Sequence, residues 1–291
     1  MKKIQFDERQ KLSIINLYKN KISSTKIAKI FNCNYTTILR FLKENGIEVR
    51  PRTRCSSIKN ESFFDKIDTE AKAYFLGLLM ADGHNSIQRG RCHVSIALQE
   101  RDVDILKKLS FLIYEKDKTK YCIKKTENGA RRQNCYRLTI FSKHICEKLK
   151  GYGLVTNRIY NMVIPENSIP QELLRHFFRG YFDGNGCIFK TKDGQYGFSV
   201  ISSIAFNKRQ KEIIEKNINK NLYFEEVVKF KKQLKFPLTY LKNTGSLVTI
   251  AFLNYLYFES TLYIERKWKK YIELKEIVKN KYQFLSTVLS L

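Results

Sequence analysis

The sequence predicts an α+β protein: a body in which the order helix, two strands, helix, two strands, helix is used twice, preceded by a small all-α unit. Three observations lead there. Two short stretches, FLGLLMADG at 75–83 and FRGYFDGNG at 178–186, are apolar helical runs of the same build. Behind each, segments of period-two alternation and segments of helical period follow in the same order. Ahead of the first, residues 7–47 hold three short helical patterns, each opened by a capping residue.

The leading unit covers residues 1–48. Asp7 caps an amphipathic run in which Leu12, Ile15 and Leu17 recur. Ser23 or Ser24 caps STKIAKIFN, and Asn34 caps YTTILRFLKENG, which stops at Gly46. Ala28 falls where the first two helices of a helix-turn-helix cross closely, with Ile27, Ile30, Ile38 and Leu42 as core. The third helix then offers Tyr35, Thr36, Thr37 and Arg40 on its outer, N-terminal side, as a helix entering the major groove needs. A plain three-helix domain that binds protein has the same pattern. The stretch EVRPRTRCSSIKNE at 48–61 breaks it: it has little to bury, and 49–61 reads as a basic linker. Arg52 and Arg54 on it either lie in a narrow minor groove or are solvated.

The first repeat spans 62–164 and the second 165–291. Phe63 to Met80 forms the first helix. Cys92, Val94, Ile96 and Leu98 then alternate with Arg91, His93, Ser95 and Ala97, a strand with one covered face. Asp102 to Tyr114 is helical, strands follow near 119–126 and 134–142 around the turn ENGARRQ, and SKHICEKLKG closes the unit. In the second repeat a helix from Gln171 to Phe182 is introduced by Pro165 and Pro170. Strands follow around 187–191 and 196–206, Asn207 to Asn219 is helical, EEVVKFKKQ and SLVTIAF alternate as strands, and 262–282 is a long basic terminal helix.

Each apolar run ends in a small residue, a short polar residue and a glycine. Gly83 and Gly186 sit where helices stop with a left-handed residue, so Asp82 and Asn185 project from C-terminal helix ends. Gly77 and Gly180 lie inside the helices, where glycine costs roughly 1 kcal/mol against alanine; its repetition predicts two helices packed backbone to backbone. A carboxylate at the negative end of a helix dipole attracts a divalent cation.

The 291 residues carry 54 lysines and arginines against 28 acids, a formal charge of +26. Such an excess calls for a polyanion, and nucleic acid rather than membrane, because no amphipathic anchor or apolar span accompanies it. Seven scattered cysteines, without CxxC pairs or metal-ligand spacing, read as reduced thiols, and the expected setting is cytoplasmic.

The two motifs, with the run IPENSIPQELLRHFFRGYFDG ahead of the second, resemble the LAGLIDADG homing endonucleases in their single-chain form, over residues 62 to about 280. The resemblance implies two antiparallel sheets forming a saddle over double-stranded DNA. It also implies a monomer reading a long asymmetric target, short 3′ overhangs, a bacterial, phage or organelle setting, and no small-molecule cofactor. It places Mg2+, with Mn2+ or Ca2+ as substitutes, on Asp82 and on position 185, with Ala81 and Gly184 in the metal set. Here the chain departs from the pattern. Asn185 stands where an acid is usual, while Asp183 is the earlier motif acid, which belongs in the helix interface; Met80 replaces the corresponding acid of the first motif. An asparagine offers one neutral carbonyl oxygen and removes a full charge, so weakened or single-strand cleavage with DNA binding kept is expected. Lys143 and Lys267 are candidates for basic residues beside the metal by resemblance only; in a chain this basic, a solvated lysine is the reading that each is weighed against first. His84-Asn85 lacks the partners of an HNH nuclease.

The DNA-facing set comprises Arg91, His93, Arg131, Arg132 and Arg137 in the first half and Lys190, Lys192, Gln195, Lys229 and Lys231 in the second. Some would read bases and others only touch phosphate. Two alternatives stay open: a non-cleaving DNA-binding protein or intron RNA maturase on the same fold, and a regulator in which the helix-turn-helix dominates.

Overall fold

The computed structural model describes residues 6–49, 58–88, 91–125, 132–155, 162–218, 225–229 and 238–289. The chain divides into two compact units, Met1–Ser56 and Ser57–Leu291.

The smaller unit holds α1 (Glu8–Lys19), α2 (Ser24–Ile30) and α3 (Tyr35–Glu44). Each begins where a side chain satisfies an amide that the helix leaves unpaired: Asp7 with a reciprocal bond from Gln10, Ser23 on Lys26, and Asn34 on Thr36. Ile14, Tyr18, Ile27, Ala28, Ile38, Phe41 and Leu42 form its core. Two of the expected apolar residues lie outside that core, Leu12 at 63% and Ile30 at 62% exposure. The first helix buries Ile14 and Tyr18, one turn apart, and apolar doublets at 14–15 and 17–18 made the phase ambiguous.

The larger unit uses its order twice. The first half runs α4 (Glu70–Asp82), β1 (His84–Gln88), β2 (Arg91–Gln99), α5 (Val103–Tyr114), β3 (Lys120–Lys125), β4 (Arg132–Ile140) and α6 (Lys143–Gly151). The second runs α7 (Leu174–Asn185), β5 (Gly186–Lys190), β6 (Tyr196–Ser203), α8 (Ile204–Ile218), β7 (Glu225–Lys229), β8 (Leu238–Thr244) and α9 (Ser246–Tyr257); α10 (Glu265–Leu289) follows. The sheets are antiparallel with equivalent strand orders, β1-β2-β4-β3 and β5-β6-β8-β7.

Several elements differ from the expectation: α7 and α10 run Leu174–Asn185 and Glu265–Leu289 rather than 171–182 and 262–282. The first motif helix starts at Glu70 rather than Phe63, because Thr69 caps it, its hydroxyl accepting from the Lys72 amide. The helix at 207–219 starts at Ile204, directly after β6. SLVTIAF is not a strand but the start of α9, the counterpart of α6. Its β-branched residues suggested a strand, yet Thr249, Ile250, Phe252, Leu253, Leu256 and Tyr257 are all buried, as in a helix enclosed by the core. The strand of that segment is the preceding β8, whose polar letters hid an alternation of buried Thr239 and Leu241 with half-exposed Tyr240 and Lys242.

Helices cover one face of each sheet. Val94, Ile96, Leu138 and Ile140 are buried under the first set, and Ile188, Phe198, Val200 and Leu241 under the second, where Phe198 stacks on Phe252 of α9 with centroids 3.8 Å apart. One continuous core joins both halves through α4 and α7. Among the described residues, no helix is long and apolar enough to cross a membrane, and Cys33, Cys92, Cys122, Cys135, Cys146 and Cys187 are free thiols.

Candidate functional site

The site grows out of the α4–α7 crossing. A Cβ on Gly77 would overlap the Phe177 carbonyl oxygen and lie 2.9 Å from the Tyr181 nitrogen. A Cβ on Gly180 would overlap the Tyr74 oxygen and lie 2.9 Å from the Leu78 nitrogen. The contacts involve equivalent positions of the two helices, so the pair is related by a pseudo-two-fold axis, with backbones touching where the side chains are missing.

This crossing brings the two helix ends together. A Cβ on Gly184 would overlap that of Ala81 and sit 3.0 Å from Asp82 Oδ2, so the Asp82 carboxylate lies against the last turn of the opposite helix. Asp82 is exposed and Asn185 half-buried. Both helices present the negative ends of their dipoles here. The glycines that follow are not left-handed. Gly83 and Gly186 have φ of −72° and −90° and are extended, leading straight into β1 and β5. They are glycines for space: a Cβ on Gly83 would lie 2.6 Å from the Leu79 carbonyl, and one on Gly186 would run into the Phe182 ring.

Beneath the ends, Asp183 is 1% exposed and accepts from the Tyr74 hydroxyl at 2.7 Å, the Tyr257 hydroxyl at 2.5 Å and the Ile264 amide at 2.9 Å. This motif acid therefore bolts α4, α7, α9 and the start of α10 together. Burial raises its pKa, with Lys267 and the three donors opposing. Lys267 is 2% exposed, and its ammonium donates to the carbonyls of Phe182 and, at 2.9 Å, Asp183. It caps the last turn of α7 with a positive charge. Burial lowers its pKa to about 8, against the pull of Asp183 and Asp82. Lys143, by contrast, is the first residue of α6, with its side chain 76% exposed and 3.6 Å from Glu147.

A second buried network braces the far end of the crossing. Arg179, fully buried, donates to Glu70 at 2.6 Å, to the carbonyls of Leu262 and Leu256, and to Nδ1 of His176. Burial and the neighbouring guanidinium push the His176 pKa down to about 4, which keeps the ring neutral and able to accept that bond. Glu70 also takes the amides of Thr261 and Leu262. Sequence reading missed Arg179 and Glu70, since nothing in an isolated arginine marks it as buried.

Among the described residues, no three His, Cys, Asp or Glu side chains converge. The donors at the helix ends are one carboxylate, one amide and the backbone carbonyls around Ala81 and Gly184. An all-oxygen donor set with one charge is the chemistry that would suit a hard divalent cation. His84, the residue after the motif glycine, lines a cavity of about 370 Å³ together with Ala81, Gly83, Tyr181, Asn185 and Ile201. Its ring lies 6.3 Å from that of His93, which packs 5.7 Å from Phe141. Asn85 is structural, its amide donating to the carbonyls of Cys146 and Leu154.

Strand registers sort the other expected residues. The sheet faces turned away from the helices carry His93, opposite Ser86, and Arg137, opposite Ala97 and Lys120. Arg137 is exposed and His93 half-exposed. Lys190 is on the other face: it pairs with Tyr196 beside α10, its ammonium 5.3 Å from that ring. The Gln195 side-chain oxygen accepts from the Ser246 hydroxyl at 3.0 Å, at the start of α9, so its amide is engaged in the fold. Lys192 is exposed in the β5–β6 turn. Arg91, Arg132 and Lys229 fall within β2, β4 and β7. Arg52, Arg54, Arg131 and Lys231 lie outside the described residues. In the smaller unit Thr36 and Arg40 are exposed and Tyr35 and Thr37 half-exposed; the Thr36 hydroxyl bonds the Asn34 cap at 3.0 Å, and Arg40 sits 4.0 Å from Glu44.

Fold and site together define a duplicated α+β body with an oxygen-donor pair at the junction of its central helices. No family model matches the chain. An uncharacterized protein of Methanocaldococcus jannaschii is 27% identical over 171 residues, and the match spans 59% of this chain and 62% of that relative. The I-LtrWI LAGLIDADG homing endonuclease bound to target DNA is 13% identical at a TM-score of 0.45, over 76% of this chain and 96% of that one. I-SmaMI bound to an uncleaved DNA target with calcium ions is 11% identical at 0.43, over 72% and 92%. I-DmoI with its target DNA and manganese is 20% identical at 0.37, over 70% and 98%.

Proposed function

We propose that the chain is a site-specific DNA endonuclease of the LAGLIDADG kind, in which the Asp82 side of the helix junction supports hydrolysis and the Asn185 side supports it poorly. The observation that carries this reading is the Asp82 carboxylate lying against Gly184, the residue before Asn185, where two backbone-packed helices end, in a chain of net charge +26. A hard divalent cation, Mg2+ or its Mn2+ and Ca2+ substitutes, would be held by Asp82, the Asn185 amide and neighbouring carbonyls. When bound it supplies a more acidic water and charge neutralisation on phosphate. Asp82 holds its carboxylate against the opposite helix, where it can orient a water toward one strand. Asn185 contributes a neutral oxygen to the other strand and cannot accept a proton. Lys267, under the last turn of α7, fixes the backbone that carries Asn185 and adds positive charge beside the phosphate position.

The open sheet faces would lie in the major groove as paired-strand ribbons, with Arg137 and His93 among the reading residues and much of the remaining basic charge on phosphate. The leading unit, read as a helix-turn-helix, would add α3 to a flanking segment of the site. Lys190 and Gln195 leave the reading set in this account, and Lys143, paired with Glu147, leaves the catalytic one.

The second reading, a non-cleaving binder or intron RNA maturase, is favoured by Asn185 alone. Competition between duplex DNA and structured RNA, followed by cleavage of selected duplexes with Mg2+, separates them. The endonuclease reading expects duplex preference and strand scission that Asp82→Asn abolishes while binding stays within about two-fold, a change below 0.5 kcal/mol. Preference for RNA, or scission unaffected by Asp82→Asn, contradicts it.

A further inference from the structure

The two open sheet faces carry different chemistry. In the first sheet, the register turns His93, Ser95, Gln99, Gln133, Arg137 and Lys120 away from the helices, and all of these form hydrogen bonds readily. The equivalent face of the second sheet carries Phe189, Ile201, Leu238 and Tyr240 across β5, β6 and β8, with Cys187, Ser199, Lys242 and Thr244 beside them and Glu225 and Lys229 paired onto it from the edge strand β7. The four large side chains are half-exposed. The helices of that half pack on the opposite face, against Phe198, Val200 and Leu241 and through the Asn207 amide on Thr239.

Phe189 is held flat by design of the backbone. It pairs across the strands with Gly197, and a Cβ there would come within 2.6 Å of two of its ring carbons, so the ring lies over the glycine. Ile201 and Leu238 also line the cavity shared with Asn185 and His84, which places the apolar face next to the helix ends.

Resting on the reading of both open faces as duplex-binding, we infer that the second sheet reads a thymine-rich half-site by apolar contact with the C5-methyl groups. Guanine is read by paired donors from Arg or Lys and adenine by Asn or Gln; on this face Lys242 and, on the edge strand, Lys229 belong to the first class, and the central positions between them are apolar. The thymine methyl is the one apolar feature that a major groove edge offers, and Phe189, Ile201, Leu238 and Tyr240 match it. The chain's charge of +26 favours a polyanion over an apolar protein partner on this surface. The two half-sites are therefore recognised differently, the first by hydrogen bonds and the second by shape and methyl contact.

The test selects duplexes from a randomised pool with the full chain and with Phe189→Ser. One half of the recovered site should carry runs of thymine, and the variant should relax that half alone. Thymines are then replaced by deoxyuridine, which deletes the methyl and leaves every hydrogen bond. Binding should weaken about four-fold for each contacted methyl in that half and stay unchanged in the other, four-fold corresponding to about 0.8 kcal/mol. If the chain selects a defined duplex but deoxyuridine binds as tightly as thymine in both halves, this inference is overturned while the endonuclease reading stands. If no defined duplex is recovered, both fall.

Discussion

The residue that says most about the site is an aspartate that does not belong to it. Asp183 and Asn185 sit two positions apart on α7, yet Asp183 is sealed under three donors while Asn185 reaches the helix junction. The number of acids in a motif is thus a poor guide to charge at the site, and position along the helix decides it. The opposite lesson comes from His176, a titratable group with a purely internal task. Its ring must stay neutral to accept from Arg179, and burial holds its pKa at about 4 against 6.5 for the free side chain. Between those values the unfolded chain binds a proton that the folded chain refuses, so stability falls as pH drops from about 6.5 toward about 4, by at most roughly 1.4 kcal/mol per unit. His176→Gln keeps an acceptor without a proton to bind. Urea unfolding across that window should show a shallower pH slope in the variant; an unchanged slope would put the titration elsewhere.

At the scale of elements, the central helix pair is what the chain can least afford to alter. Gly77 and Gly180 each admit the partner backbone, and a methyl on either meets carbonyl oxygen rather than a side chain that could turn away. Gly77→Ala should therefore cost about 3 kcal/mol, the upper range for overpacking, in a denaturant titration. A loss within about 0.5 kcal/mol, the level of a surface substitution, would mean the helices part easily. Much of this element was legible in advance, because a repeated mid-helix glycine has few explanations other than close approach. The stop glycines were misread: Gly83 and Gly186 have extended backbones, and steric room was the requirement that a left-handed reading concealed. α9 was misread for a related reason. A helix buried on most of its surface loses its polar face, and with it the period that separates helix from strand. β8 was missed because its alternation runs through threonine, asparagine and lysine.

For the whole molecule, duplication with divergence is the organising fact. The halves share element order and strand order, and their helices meet about a pseudo-two-fold axis, but the symmetry breaks in three places. The helix ends carry Asp82 against Asn185, the open faces differ in polarity, and only the second half continues into α10, which supplies Lys267. The repeat was legible because motif spacing and element order survive divergence. The assignment of lysines was not, since a chain with 54 basic residues offers more cations than any site uses. Lys190 over Tyr196 and Gln195 at the start of α9 were indistinguishable in sequence from residues of an open face.

The central claim is that the junction is half-charged and works on one strand better than the other. The direct measurement is the fate of a supercoiled plasmid carrying the selected site, incubated with Mg2+ and either this chain or Asn185→Asp. This chain should accumulate nicked circles, with linear product slower by about ten-fold or more, while the aspartate variant should linearise the plasmid with little nicked intermediate; ten-fold corresponds to about 1.4 kcal/mol in the barrier. Equal linearisation by both forms would show that the charge at position 185 does not govern cleavage and would contradict the account.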